Sequence, residues 1–332
     1  MKQRYAVVTH TDLDGVASAA IYLRLAGAEP DIDASITFTE PYKLHRVLQN
    51  IDGVDRLAIM DLGPNADTFN DLVEAVARLV ESGVRVEWYD HHRWAPEWVE
   101  KLSSLGARMH VDTSTCGAGV VAKYAPAELE AEPDGVIERL ARATCAADLW
   151  RWDDPLAPRL YRVVDRYHGA RGDRWKREIL RGFWEGSLWW PELDEALNEY
   201  LKREFSGFND ALRNVVVADM HGCRAVLVLK RPGPPNASIL GNSLIDRLSA
   251  DVVAIVRRRG RGISLRSRRV NVREIAFRLG GGGHPRAAGA PLKMPLRYRL
   301  LAFFWPKARL YYAKHLIEQV LEDIGGCPVT QE

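Results

Sequence analysis

The sequence predicts a two-domain α/β protein: an N-terminal domain on a largely parallel sheet with helices on both faces, a helical connector, and a smaller C-terminal α/β domain. Three observations predict it. At 332 residues the chain is long for one hydrophobic core and comfortable for two. Its first part alternates short apolar runs with amphipathic helical stretches, the pattern of parallel strands joined by crossover helices. A helical, tryptophan-rich stretch then separates this alternation from a second one.

In chain order, RYAVVTH (4–10) reads as a strand, VASAAIYLRLAG (16–27) as a helix and SITFTE (35–40) as a strand. RLAIMD (56–61), VRVEWYD (84–90) and ARMHVD (107–112) read as further strands. Helical patterns over 66–83, 95–106 and 117–125 separate and follow them. Residues 135–212 are helical in pattern. Strand patterns return over 215–220 and 224–230, followed by the proline-rich loop RPGPPN (231–236), a helix over 238–249, and strands over 252–258 and 262–267. VREIAFRLG (272–280) reads as a helix running into GGGGHPRAAGA, and 305–324 as a final helix. The boundaries expected are 1–190 for the first domain, 191–213 for the connector and 214–332 for the second domain.

With 47% hydrophobic and 27% charged residues, the composition is that of a globular protein and excludes a disordered chain. No run of 18 apolar residues and no secretory leader are present, so neither membrane insertion nor export is expected, and the expected location is the cytoplasm. The cysteines at 116, 145, 223 and 327 form no C-x-x-C pair. They predict neither a zinc site nor a disulfide framework, only buried thiols. Charge is distributed unevenly. Residues 257–309 hold 15 of the 46 basic residues against a single acid, Glu274, a formal +14 on a remainder of −12. That is the footprint of a polyanion-binding surface.

Three predicted strands end in residues of metal-ligand type: His10-Thr11-Asp12-Leu13-Asp14-Gly15, then Asp61, then Asp90-His91-His92. Asp148 follows on a helical pattern. Ligands of parallel α/β sheets sit beyond the carboxyl ends of the strands, so these groups converge on one edge. If the chain stays extended, His10, Asp12 and Asp14 share a face, Gly15 lets the chain turn, and His91 faces away from Asp90 and His92. Several carboxylates packed together repel one another unless a cation intervenes. Carboxylate and imidazole without thiolate suit Mn²⁺ or Mg²⁺ better than structural zinc. Two such ions clamp the attacking and leaving oxygens of a phosphoryl group.

The glycine run is the second signal. Gly281, Gly282 and Gly283 offer backbone N–H groups to an anion, and His284 and Arg286 add side-chain donors. Arg266 is a neighbour candidate by composition. The tail LAFFWPKARLYYAKHLIEQVL (301–321) is aromatic and basic; its helical spacing predicts rings packed in the core, with a base-stacking surface as the alternative.

HTDLDG, the Asp of MDLGPN, YDHHRW and the Asp of AADLW resemble, in order, the four motifs of the DHH phosphoesterase superfamily, and GGGGHPRAAGA resembles the glycine-rich signature of its DHH-associated C-terminal domain. The resemblance implies two α/β domains with an active-site cleft between them. It implies that His10, Asp12 and Asp61 bind one Mn²⁺, and that Asp14, Asp61, His91 and Asp148 bind a second, with Asp61 bridging. His92 then meets the scissile phosphate or the leaving oxygen, and Asp90 acts behind it or on a metal. Gly281 to Gly283, His284 and Arg286 hold the phosphate or nucleotide end of the substrate. The HxDxDG spacing is the RecJ-like form of the first motif. The chain is shorter than bacterial RecJ and shows no further oligonucleotide-binding domain, which argues against processive digestion of long strands.

The expected function is a metal-dependent phosphodiesterase acting on single-stranded nucleic acid or short oligonucleotides. A phosphatase for a small nucleotide such as pAp, a cyclic-dinucleotide phosphodiesterase and a polyphosphatase are alternatives within the same chemistry. A replication scaffold without catalysis is the alternative from another class, disfavoured because every mapped ligand position is intact. A homodimer or a replication or repair partner stays open.

Overall fold

The computed structural model describes residues 3–258 and 262–329. Arg259 and Arg261 of the basic segment lie outside the described residues. Two compact units divide between Leu197 and Asn198.

The first unit is built on five parallel strands in the order β2-β1-β3-β4-β5: β1 Tyr5–His10, β2 Ala34–Thr39, β3 Arg56–Met60, β4 Arg85–Asp90 and β5 Arg108–Val111. Strands β1, β3 and β4 are almost wholly buried, as strands of a parallel sheet covered on both faces must be. One face carries α1 (Leu13–Leu25), α5 (Gly117–Leu129), α6 (Gly135–Asp148), α7 (Ala157–Val164) and α8 (Gly169–Glu185). The other carries α2 (Leu44–Gln49), α3 (Phe69–Glu81) and α4 (Pro96–Ser104). Helix α1 is buried along nearly its whole length, because small residues such as Ala17, Ser18 and Ala20 let α5, α6 and α8 pack closely around it. Helix α3 buries the stripe Phe69, Leu72, Ala75, Val76 and Leu79, the spacing of a surface helix. Helix α9 (Pro191–Leu212) spans the division between the units.

The second unit has a mixed six-stranded sheet in the order β10-β11-β9-β8-β7-β6: β6 Val215–Met220, β7 Cys223–Lys230, β8 Val252–Arg257, β9 Gly262–Arg266, β10 Gly282–Gly283 and β11 Ala287–Pro291. Only β7 and β8 run parallel, joined by α10 (Ala237–Leu248); the remaining pairs are antiparallel. Helices α11 (Val272–Arg278) and α13 (Ala308–Asp323) pack on one face and α10 on the other. Two α/β units, the first parallel with helices on both faces, are what the sequence predicts.

Two expectations fail. All four cysteines are paired, Cys116 with Cys145 and Cys223 with Cys327. The partners stand 29 and 104 residues apart, so no local spacing signals them; tertiary packing brings their Cα atoms to 5.1 and 5.2 Å. The tail also divides. Helix α13 buries Leu310, Ala313, Ile317 and Leu321, but a separate helix, α12 (Leu296–Phe304), gives only Ala302 to the core and leaves Phe303 and Phe304 82% and 83% exposed.

Candidate metal centre and active site

The carboxyl ends of β1, β3 and β4 lie side by side in the sheet and deliver the ligand-type residues together. The chain does not stay extended past His10. Asp12 caps α1, accepting from the Gly15 N–H at 3.1 Å, and Asp14 already lies in the first helical turn. The alternation of an extended strand therefore does not apply, and the three residues separate. His10 Nδ1 stands 2.9 Å from Asp12 Oδ2 and 3.5 Å from Asp61 Oδ2. Asp14 turns toward His91, whose Nε2 lies 3.7 Å from Asp14 Oδ2, 3.4 Å from Asp61 Oδ1 and 3.7 Å from Asp148 Oδ2. Gly15 has no positive φ, so turning freedom is not its role. A Cβ there would lie 2.3 Å from the carbonyl oxygen of His10, and only glycine lets the helix start so close to the strand end.

Two ligand groups result, His10 with Asp12 and Asp61, and Asp14 with His91 and Asp148, and a third, Asp61 with His91 and His92, overlaps both; each offers donor atoms within 4.8 Å of one another. Asp61 joins the first and also meets His91 of the second. It takes a left-handed backbone conformation, φ 53°, unusual for a non-glycine residue and found where a site over-determines the backbone. Its carboxylate is buried, and Oδ2 has no hydrogen-bond partner. A buried carboxylate oxygen without a donor is costly, and a cation between the two groups would satisfy it. The donor set of carboxylates and imidazoles without thiolate suits Mn²⁺ or Mg²⁺.

The electrostatics describe a site built for positive charge. Burial, then the neighbouring charges of Asp61 and Asp148, hold the Asp14 carboxyl well above the usual carboxylate range. Burial also pushes Asp148 up to about 6, against the opposing charge of His91 and with the support of the charges of Asp61 and Asp12. For His91 burial opposes the charged form, yet its hydrogen bond to Asp61 and the charges of Asp14 and Asp148 prevail and raise it to about 10. Burial likewise opposes the charge of His10, but Asp12 beside it drives its pKa far above the imidazole range.

Asp90 ends β4 fully buried and belongs to none of the ligand groups. Its Oδ1 lies 2.8 Å from His92 Nδ1, and its Oδ2 accepts from Trp94 Nε1 at 2.6 Å. A carboxylate only accepts, so His92 carries its proton on Nδ1 and presents the other ring nitrogen to the site. Burial works against charge on His92, but the bond to Asp90 and its negative charge raise its pKa.

Three supports carry no sequence signal of their own. Glu40, just past β2, meets His10 Nε2 at 3.5 Å. The amides of Gly117 and Ala118 at the start of α5 donate to Asp14 at 2.6 and 2.8 Å. A Cβ on Gly117 would come 2.9 Å from the Asp61 Cβ, so the close approach requires glycine. The Cys116–Cys145 bond lies directly behind: Cys116 precedes Gly117, and Cys145 sits one helical turn before Asp148 on α6. It ties the segment holding Asp14 to the helix carrying Asp148.

In the second unit Arg266, Gly281, Gly282, Gly283, His284 and Arg286 form a separate group. Gly282 and Gly283 pair with β11, and residues 284–287 make the turn between them, with the His284 N–H on the Ala287 carbonyl at 2.8 Å. Arg266 lies opposite Ala287 in the β9–β11 register and donates to Ser238 Oγ at 3.0 Å through Nη2. The Gly281 N–H donates to the Ala276 carbonyl at 2.8 Å, closing α11. It is therefore engaged within the fold, and Gly282, Gly283 and the side chains of Arg266, His284 and Arg286 stay as the anion-binding candidates.

Residues 4–147 match the model of the DHH family N-terminal domain, and residues 225–306 that of the DHHA1 domain. Oligoribonuclease NrnB of Bacillus subtilis (strain 168) is 24% identical over 307 residues, covering 87% of this chain and 73% of that protein. Among solved structures, the pGpG-specific phosphodiesterase PggH from Vibrio superposes with a TM-score of 0.60 at 16% identity, over 96% of this chain and 100% of that one. RecJ from Thermus thermophilus, solved in complex with Mn²⁺, gives a TM-score of 0.59 at 18% identity, over 94% of this chain and 52% of that one. No helix among the described residues is long and apolar enough to cross a membrane. The strand-end ligand groups and both domain matches lead to one conclusion: the chain belongs to the DHH phosphoesterase superfamily and is a hydrolase of phosphate esters.

Proposed function

We propose that the chain is a divalent-cation-dependent phosphodiesterase that hydrolyses short single-stranded oligonucleotides from one end. The carrying observation is the pair of ligand groups meeting at Asp61, with a buried carboxylate oxygen that lacks a donor. In this reading His10, Asp12 and Asp61 hold one Mn²⁺, while Asp14, Asp61, His91 and Asp148 hold another. Bound there, divalent cations supply Lewis acidity: they favour ionisation of a water and neutralise charge on the phosphoryl group.

The chain's own residues do the rest. In hydrolysis a water oxygen bonds to phosphorus as the bond to the leaving nucleoside oxygen breaks, and that oxygen needs a proton. His92 is fixed at Nδ1 by Asp90, whose hydrogen bond and negative charge favour the protonated ring, and in this reading its other nitrogen gives the leaving oxygen its proton. Arg266, His284 and Arg286 hold the phosphate or the nucleotide end. The basic segment supplies non-specific affinity for a polyanion. The likeness to an oligoribonuclease over most of both chains supports the choice of substrate.

The test is hydrolysis in Mn²⁺ of a panel of 5′- and 3′-labelled single-stranded oligonucleotides, pAp, a cyclic dinucleotide and polyphosphate. Laddering from one end is the expected result and gives the polarity. Phosphate release from pAp or polyphosphate alone contradicts the reading.

A further inference from the structure

The structure leaves an aromatic and cationic surface that neither the ligand groups nor the 281–286 turn uses. Helix α12 gives one small side chain to the core. At 3.6 residues per turn, Leu296, Leu300, Phe303 and Phe304 fall on one side of it, with Arg297 and Arg299 on the two borders. All six are exposed. Beyond its end Trp305 and Tyr311 stack with ring centres 5.4 Å apart and remain 46% and 48% exposed. At the start of α12 a cavity of 670 Å³ is lined by Lys293, Arg299 and Arg309 together with Pro291, Leu292, Met294 and Pro295. No acid lines it.

Exposed rings at this density mark a surface that meets a partner. The cations indicate which one. An apolar protein partner would have to bury Arg297 and Arg299 against apolar groups, at a desolvation cost. A single strand of nucleic acid offers both complements at once: phosphates for the guanidinium and ammonium groups, and flat bases for the rings. A concave, acid-free cationic cavity beside exposed rings matches that alternation of charge and stacking.

We propose that residues 293–311 form an accessory binding surface for single-stranded nucleic acid, with a phosphate held by Lys293, Arg299 and Arg309 and bases stacked on Phe303, Phe304 and Trp305. This rests on the oligonucleotide reading above and adds a length preference: strands long enough to reach the surface bind more tightly than a dinucleotide.

The experiment measures fluorescence polarisation of a labelled single-stranded dodecanucleotide in EDTA, which prevents cleavage. It uses the full chain, R299E and F303A/F304A. Both variants change exposed positions, and their melting temperatures verify folding. Each is expected to bind the dodecanucleotide about tenfold or more weakly, while Mn²⁺-dependent hydrolysis of a 5′-phosphorylated dinucleotide by F303A/F304A stays at the wild-type rate. Unchanged dodecanucleotide affinity in both variants overturns the proposal. So does unchanged affinity accompanied by lost sedimentation with anionic vesicles, which assigns the surface to lipid, or by dissociation of a dimer, which assigns it to a second copy. A wild-type chain that cleaves the dinucleotide but does not bind the dodecanucleotide overturns this inference alone. One that does neither removes the proposed function as well.

Discussion

Asp61 concentrates the chemistry of the molecule in one side chain: it touches both ligand groups, is buried, and keeps one oxygen without a donor. Its replacement in Asp61→Ala is expected to abolish hydrolysis while circular dichroism shows a folded chain. Asp90 acts through His92, so Asp90→Asn and His92→Ala are expected to lower kcat to similar degrees, about 10- to 100-fold for the positioning residue. The double variant should fall little further, because the two act as one unit. A fully additive double variant contradicts that coupling. Protonation gives a third prediction. In the metal-free chain Asp148 loses its proton near 6 and His91 near 10. These protons, with those that the raised His10 and Asp14 hold, must leave before a cation takes their place, so Mn²⁺ affinity rises with pH from about 6 upward and binding releases protons. Calorimetry in buffers of different ionisation enthalpy reads the release directly; binding independent of pH contradicts it. At this scale the sequence is most legible where a strand breaks into polar residues, as at His10, Asp61 and Asp90. Glu40 is illegible because a lone acid after a strand is ordinary, and its approach to His10 depends on how β2 pairs with β1.

Parallel strand pairing brings the ligands to one edge, and the elements behind them hold the geometry. The Cys116–Cys145 bond connects the segment whose amides hold Asp14 to the helix that carries Asp148. Replacing this pair with serines is expected to weaken Mn²⁺ binding. Replacing the Cys223–Cys327 pair is expected to lower stability by about 4 to 5 kcal/mol, from the length of the loop it closes, and to leave Mn²⁺ affinity unchanged. Equal metal affinity in both variants contradicts the linkage. The pairing could not be read from the sequence, since neither separation falls into a recognised cysteine spacing. Helix α12 shows a related limit: spacing tells which residues share a helix face, but only the packing of α13 and the sheet shows that nothing described covers Phe303 and Phe304.

Across the whole chain, opposite charge is separated along the sequence, with +14 confined to residues 257–309. Some of these groups are already engaged, such as Arg268 with Asp246 and Arg266 with Ser238, so fewer than the formal count are available to a polyanion. Binding of single strands is still expected to weaken more than about tenfold between about 50 and 200 mM salt; a flat response contradicts the assignment of this segment to nucleic acid. The alternation of strands and helices made both α/β units legible, because each sheet buries apolar runs whose period appears directly in the sequence. Equilibrium dialysis of the metal-free chain against Mn²⁺ decides whether the strand ends form a shared two-cation site. Two ions per chain are expected in the wild type, with tight binding lost in Asp61→Ala; tight binding of both ions by that variant would rule the shared site out.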